Sequence, residues 1–295
     1  MKRILAIVVT YNRLSELKNC LGALFSQTYQ DFDICIVNNG STDGTTEWLD
    51  DIKIANRYVK GEIVVINQQN LGGAGGFYAG QEYALEHGCD WIWMMDDDGV
   101  PHPDQLQCLV QYAEKNGGKF FNALVVDKDD HSQFAFFAHD WTIDQALQVE
   151  SIEHFVHPFN GTFIHTDVLK ECGLTKKEMF IWGDEVELTM RYIKAGYRPL
   201  TVTSAIHYHP KEKGISETVL PGIINRTVLL KPKGLSKYYY RNLGYIHGLY
   251  YRDKWYKGLK PMVMYAIYHC RRFDIAEACK AVKYYIRGMN DNYSD

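Results

Sequence analysis

The chain has 295 residues, 46% of them hydrophobic, and a formal net charge of −4, which allows a large core and excludes a disordered polyelectrolyte. Its first apolar run, Ile4–Val9, is too short for a secretory signal or a membrane span, and no later segment reaches the roughly 18 consecutive apolar residues of a transmembrane helix. Seven scattered cysteines without a C-x-x-C are the pattern expected of a reduced, cytoplasmic protein.

In chain order, ILAIVV (4–9) reads as a buried strand because its apolar run is unbroken. TYNR (10–13) follows, with Tyr11 placed to stack on a base and Asn12 to cap the next helix. Leu14, Leu17, Leu21, Leu24 and Phe25 then recur at helical spacing. FDICIV (32–37) is a second strand. NNGSTDGT (38–45) is a turn, with Thr42 or Asp43 capping a helix over 46–54; its other role is polar recognition of a base or ribose. EIVVIN (62–67) is a third strand, and NLGGAGGF (70–77) a glycine-rich loop opening a helix that runs to about Glu86. Such a loop brings backbone N–H groups close to an anion at a helix start, although it matches neither the dinucleotide fingerprint nor a P-loop.

CDWIWMM (89–95) is a fourth strand, and it runs straight into Asp96, Asp97 and Asp98. Adjacent carboxylates at the end of a buried strand repel one another and lose hydration. A solvated acidic turn is one reading; a Mg²⁺ or Mn²⁺ site, whose charge offsets the repulsion, is the other. A helix over 102–116 completes the first half, with Pro103 near its first turn. Alternating strands and helices predict an α/β fold with a parallel sheet, and the four unusual loops then share its carboxyl edge, where such sheets bind ligands. That common edge favours the metal reading.

The pattern from 119 to about 165 mixes strand and loop. In WGDE (182–185), Asp184 and Glu185 sit at a helix start, where the dipole favours negative charge and a carboxylate can serve as a general base. Glu187 and Arg191, at i and i+4, are expected to pair on the helix surface. The strand over 198–210 carries His207 and His209 on one face. One of them is a candidate to complete a Mn²⁺ shell, and Lys211 or Lys213 to meet a phosphate. Residues 231–295 carry 13 Lys/Arg against 5 Asp/Glu, a net of +8 that leaves −12 for the first 230. This helical, tyrosine-rich region suits an anionic membrane surface or a lipid-linked substrate, or else a solvated helical cap; no motif supports nucleic acid.

VVTYNR (8–13), IVNNGSTDGT (36–45), NLGGAGGF (70–77), MMDDDG (94–99), WGDEVELTMR (182–191) and AGYRPLTVTSAIHYH (195–209) stand in the order seen in family 2 glycosyltransferases with the GT-A fold. Over about residues 1–230 the chain resembles that family, and most closely its bacterial galactofuranosyltransferase branch, with rhamnosyltransferases nearby. The resemblance implies a GT-A catalytic domain over 1–230, a Rossmann-like, mostly parallel sheet flanked by helices, and a separate helical region over 231–295. It implies a UDP- or dTDP-linked sugar donor and a divalent metal, Mn²⁺ or Mg²⁺, held by Asp96, Asp98 and His209, with His207 as the alternate. Thr10, Tyr11, Asn12, Arg13, Asn38, Asn39, Asn70, Gly72, Gly73, Gly75, Gly76, Asp97, Trp182 and Lys211 would lie near the donor. Glu185 would be the base of an inverting hexosyl transfer, although relatives usually carry Asp there and Asp184 is the alternative. The expected activity moves galactofuranose from UDP-galactofuranose onto a cell-surface polysaccharide or lipid-linked glycan at the inner face of the cell membrane. The rivals are a rhamnosyltransferase using dTDP-rhamnose and an inactive nucleotide-sugar-binding protein.

Overall fold

A computed structural model describes residues 3–54, 61–138, 140–153, 155–211, 214–251 and 255–294. It divides into two compact units, Met1–Lys177 with Leu188–Glu212, and Glu178–Glu187 with Lys213–Asp295.

The first unit is built on a sheet of nine strands. β1 (Ile4–Thr10), β2 (Asp33–Asn38), β3 (Ile63–Asn67) and β4 (Trp91–Asp96) are joined by helices α1 (Leu14–Phe25), α2 (Thr45–Ile54) and α3 (Gly72–Glu86). These four strands pair in parallel in the order β3-β2-β1-β4. Every residue of β1 is buried, which is why its apolar run is unbroken. After β5 (Val100–Pro101) and α4 (Gln105–Asn116) come β6 (Phe120–Asp127), α5 (Ile143–Ala146), β7 (Ser151–Glu153), β8 (Asn160–His165) and α6 (Thr166–Cys172), and, after α7 (Asp184–Lys194), β9 (Leu200–His209). β8 runs antiparallel between β4 and β6, while β6 and β9 are parallel, so six of the nine strands share one direction. Apolar clusters lie on the two faces: Trp93, Leu106 and Phe121 in one, Ile7, Phe77 and Tyr192 in the other. The seven cysteines are all free.

Two local features depart from the sequence reading. The glycines of NLGGAGGF are not a loop ahead of a helix; α3 starts at Gly72, and its glycines lie within its first turns. A Cβ on Gly76 would come 2.4 Å from Val9 Cγ1, and one on Gly80 2.4 Å from Ile7 Cγ2, so the missing side chains let α3 press directly on β1. Asn12 does not cap α1 either. Its φ is +53, and its Oδ1 accepts the Thr42 N–H at 2.7 Å. Asp43, from the neighbouring loop, accepts the Leu14 N–H at 3.0 Å with one carboxylate oxygen and the Thr45 N–H at 3.2 Å with the other, serving the first turns of α1 and α2 together.

The second unit contains the hairpin β10 (Ile215–Leu220) and β11 (Ile224–Leu230) and the helices α8 (Ser236–Tyr250), α9 (Trp255–Arg271) and α10 (Ile275–Met289). Val219, Val228, Tyr240, Tyr265, Tyr268 and Ala281 form its core, so part of the tyrosine enrichment of this region is structural. α8 and α10 approach closely enough that a Cβ on Gly244 would meet Tyr285 O at 2.1 Å. Among the described residues no helix is long and apolar enough to cross a membrane.

Candidate active site

The parallel order β3-β2-β1-β4 brings TYNR, NNGSTDG, the start of α3 and DDDG to one sheet edge, and hydrogen bonds join them. Asn38 donates to Thr46 Oγ1 (2.8 Å) and Asn67 Oδ1 (2.9 Å), while its Oδ1 accepts the Ser41 N–H at 3.1 Å. Asn39 donates to Gly72 O at 2.8 Å and accepts from Gln68 Nε2 and the Leu71 N–H. Asn70 accepts the Gly72 N–H at 2.9 Å. These three asparagines thus shape the edge through loop-to-loop bonds. Tyr11 remains 45% exposed, and a Cβ on Gly73 would meet nothing within 4 Å, so both present open surface.

The aspartates differ from one another. Asp97 is buried and accepts from Thr10 Oγ1 at 2.7 Å, from Arg13 Nη1 at 3.3 Å and from the Tyr11 backbone. Arg13 reaches on to Asp98 Oδ2 at 2.6 Å. Asp96 and Asp98 gather with His209, their ligand atoms all within 4.8 Å of one another. Residue 209 arrives through chain reversal after DDDG: β5 pairs antiparallel with β9, Val100 opposite Tyr208 and Pro101 opposite His207.

The electrostatics of this cluster show a surplus of negative charge. Burial, then the neighbouring charges of Asp98 and Asp97, push the Asp96 carboxyl up to about 8. Burial also lifts Asp97 to about 6, against the Thr10 hydrogen bond and Arg13. Burial would raise Asp98 too, but His209 and Arg13 outweigh it and bring that carboxyl down to about 2. His209 is raised, because its pairing with Asp98 overcomes burial. The His209 ring bonds through Nδ1 to Pro210 O at 2.7 Å, which directs Nε2 at Asp98 Oδ1, 3.1 Å away. Apart from His209, that buried oxygen has no hydrogen-bond partner among the described residues. Two carboxylates and an imidazole whose other nitrogen is tied to a carbonyl make a donor set that fits a hard divalent cation.

His207 takes no part in that cluster. It is fully buried, and burial pushes it down to about 3. With the Gln105 amide oriented to accept from Trp93 Nε1 at 3.2 Å, its nitrogen donates to Ile206 O (2.6 Å) and His207 Nδ1 (3.1 Å). The ring then packs against the DDDG turn, where a Cβ on Gly99 would come 2.3 Å from its Nε2. Lys211 is exposed just beyond Pro210, with Asp130 as a charge neighbour, and Lys213 lies outside the described residues.

The W-G-D-E segment belongs to the second unit. A 3-10 turn at Lys177–Met179 leads into Phe180 (φ +67), Trp182 (φ +62) and Gly183 (φ +92), and α7 begins at Asp184. Asp184 is buried, and Glu185 Oε2 accepts the Gly183 N–H at 2.9 Å. Lys231 Nζ stands 4.6 Å over the Trp182 ring, and Tyr239 meets that ring edge-on at 6.4 Å. Glu187, expected at the helix surface, is 1% exposed, and Tyr250 OH lies 3.4 Å from its Oε1. The Arg191 guanidinium donates to the carbonyls of Cys172, Gly173 and Leu174 at the end of α6. Lys231, Tyr250 and Asn242, whose Nδ2 donates to Trp182 O at 2.8 Å, are therefore neighbours of this segment that the sequence reading missed. A buried amide inside the aromatic helix YYYRNLGY was the available signal, since such groups are nearly always hydrogen-bonded.

Comparison with known proteins identifies the family and the fold. Galactofuranosyltransferase GlfT1 of Mycobacterium tuberculosis is 31% identical over 254 residues, 82% of this chain and 81% of that protein. The GlfT1 of Mycolicibacterium smegmatis is 28% identical over 255 residues, 82% of each chain. Among solved structures, S. aureus TarS 1–349 superposes with a TM-score of 0.54 at 14% identity, covering 98% of this chain and 92% of that one. The mannosyltransferase PcManGT from Pyrobaculum calidifontis, in complex with GDP-Man and Mn²⁺, gives 0.57 at 17% identity, with coverage of 95% and 73%. At such identities these structures establish the fold, which is GT-A. Residues 5–180 match the Glycosyl transferase family 2 model, more than half of the chain; the chain belongs to that family and is a glycosyltransferase.

Proposed function

We propose that this enzyme transfers galactofuranose from UDP-galactofuranose, with inversion and with a divalent metal, to a hydroxyl of a lipid-linked or cell-surface glycan. The observation that carries the metal and donor reading is the convergence of Asp96, Asp98 and His209 on the edge that also holds Tyr11, Arg13 and the N-terminus of α3. The 31% identity to GlfT1 across 82% of the chain supports the sugar. Asp96, Asp98 and His209 would hold Mn²⁺ or Mg²⁺, which supplies charge to offset the departing diphosphate. Arg13 adds a second cation at that edge, and the N-terminal end of α3 favours the same anion. Tyr11 offers a face for the base. Glu185, or Asp184 beside it, takes the proton from the acceptor hydroxyl as that oxygen attacks the anomeric carbon. The C–O bond to the diphosphate breaks as the new glycosidic bond forms, so one displacement inverts the centre without a covalent enzyme intermediate.

The lipid-linked acceptor is supported by the second unit. α9 has no acidic residue over Trp255–Arg271 and exposes Tyr256 and Val263. Phe273, which follows Arg271 and Arg272, is 91% exposed. Aromatic and basic groups together suit an anionic bilayer surface. Sedimentation with phosphatidylglycerol vesicles should carry the protein down, and Phe273→Asp should reduce the bound fraction severalfold; equal binding by both proteins would remove this support.

Binding and hydrolysis of a panel of UDP- and dTDP-sugars, each with Mn²⁺ and with EDTA, test the donor. Metal-dependent selection of UDP-galactofuranose is expected. Preference for dTDP-rhamnose would replace the donor and keep the mechanism. Metal-dependent binding with no turnover would favour a binding protein, and indifference to EDTA would overturn the metal assignment. Proton NMR of the first-formed product reads the stereochemistry, and retention would exclude the single displacement.

A further inference from the structure

We infer that Asn242, on α8 of the tyrosine-rich C-terminal region, is a positioning residue for the carboxylate of Glu185. The inference rests on the reading of Glu185 as the base. Asn242 is fully buried, and the two hydrogens of its Nδ2 group are shared among three carbonyls of the loop: Met179 O at 2.8 Å, Ile181 O at 3.0 Å and Trp182 O at 2.8 Å. The adjacent Arg241, also buried, donates from Nη2 to Glu178 O at 2.7 Å. The loop so held is one the chain would not adopt unaided, since Phe180 and Trp182 both have left-handed φ values of +67 and +62.

One peptide unit links the amide to the carboxylate. The Trp182–Gly183 peptide accepts from Asn242 through its C=O, and its N–H donates to Glu185 Oε2 at 2.9 Å. Rotation of that peptide plane would move both partners together, so Asn242 sets the direction from which Glu185 is hydrogen-bonded. Gly183 lets the helix come close: a Cβ there would lie 3.4 Å from Asn242 Cβ and 3.3 Å from Ile246 Cδ1, at a φ of +92 that disfavours any side chain. The same loop presents the Trp182 ring to Lys231 and Tyr239. The cost of the arrangement is visible in Asn242 Oδ1, which is buried with no hydrogen-bond partner among the described residues. A merely structural asparagine would be expected to use its acceptor as well as its donors. Here the donor group is spent entirely on the loop that leads into the proposed base.

The test uses the full chain, UDP-galactofuranose and Mn²⁺, with water as acceptor and UDP release as the signal. Asn242→Ala should lower kcat about ten- to hundredfold, because misplacing a reacting group by an ångström costs about that much. Mn²⁺-dependent affinity for UDP should stay within about twofold in the same variant. Glu185→Gln should lower kcat further, and adding Asn242→Ala to it should cost less than about twofold more, because a positioning residue has nothing left to position. Asn242→Ser, which keeps one donor, should lose a smaller part of kcat with the same non-additivity and is the series to read if the alanine variant does not fold. Multiplying losses, or a kcat within twofold of wild type, would overturn the positioning role while leaving Glu185 as base. Full turnover by Glu185→Gln would instead overturn the base assignment, and this inference with it.

Discussion

Replacing Thr10 by valine separates hydrogen bonding from burial beside the three aspartates of the sheet edge. Thr10 is 1% exposed, and its hydroxyl donates to Asp97 Oδ2 at 2.7 Å. Valine fills nearly the same volume but donates nothing. Loss of a hydrogen bond to a buried charged acceptor costs about 1.5–3 kcal/mol. Replacing the hydroxyl by a buried methyl returns about 0.8 kcal/mol, the worth of one CH₂ group. Asp97 keeps the Tyr11 backbone donor and Arg13 at 3.3 Å, so the carboxylate is weakened and not stripped. The balance is a net destabilisation of about 1–2 kcal/mol, or a few degrees in Tm. Urea unfolding of wild type and Thr10→Val, followed by circular dichroism, reads it as a lower midpoint at unchanged slope. Burial alone predicts the opposite sign. A variant as stable as wild type, or more so, would refute the claim that Thr10 serves as a donor to Asp97.

Other consequences can be checked alongside. Gly76→Ala should destabilise by about 1–3 kcal/mol through overpacking against Val9, more than its helix-propensity gain of about 1 kcal/mol, whereas Gly73→Ala, with nothing within 4 Å, should be neutral or slightly stabilising. Equal urea midpoints for the two would contradict close packing of α3 on β1. Asp98→Asn and His209→Ala should each weaken Mn²⁺-dependent UDP binding by at least about tenfold in titration calorimetry, and unchanged affinity would remove them from the cation site. Burial pushes the pKa values of His247 and His269 down from the ordinary histidine value in the folded chain. The unfolded chain therefore takes up protons first, so stability is retained above about pH 6.5 and lost as pH falls below it, by up to about 1.4 kcal/mol per pH unit for each. His269→Gln should flatten the fall in urea midpoint between pH 7 and pH 5; an unchanged slope would argue against it.

Much of the catalytic edge was legible in the chain because it is local. Continuous apolar runs identify β1, β2 and β4, the turn residues that follow them are special, and parallel topology places all of those turns at one edge. The three aspartates advertised themselves because charge at the end of a buried strand needs a reason. What a linear reading could not supply was direction. β8 resembles any other short strand, and only its neighbours make it antiparallel; the glycines of α3 resemble a ligand loop, and only Val9 and Ile7 show them to be packing sites.

The sequence by itself determined the family and the alternating α/β order and marked out the aspartates proposed to hold a metal, because periodicity and charge act over a few residues. Tertiary structure showed why His209, which the family resemblance favoured, gathers with them and His207 does not. His207 and His209 share a strand face and differ in surroundings: the first is wedged between Gln105 and Gly99, and the second is turned by Pro210 toward Asp98. It also decided that an asparagine about sixty residues downstream holds the W-G-D-E loop, a pairing carried by hydrogen bonds to backbone carbonyls. Every residue has such a carbonyl, so no residue type in the loop marks the partner in advance.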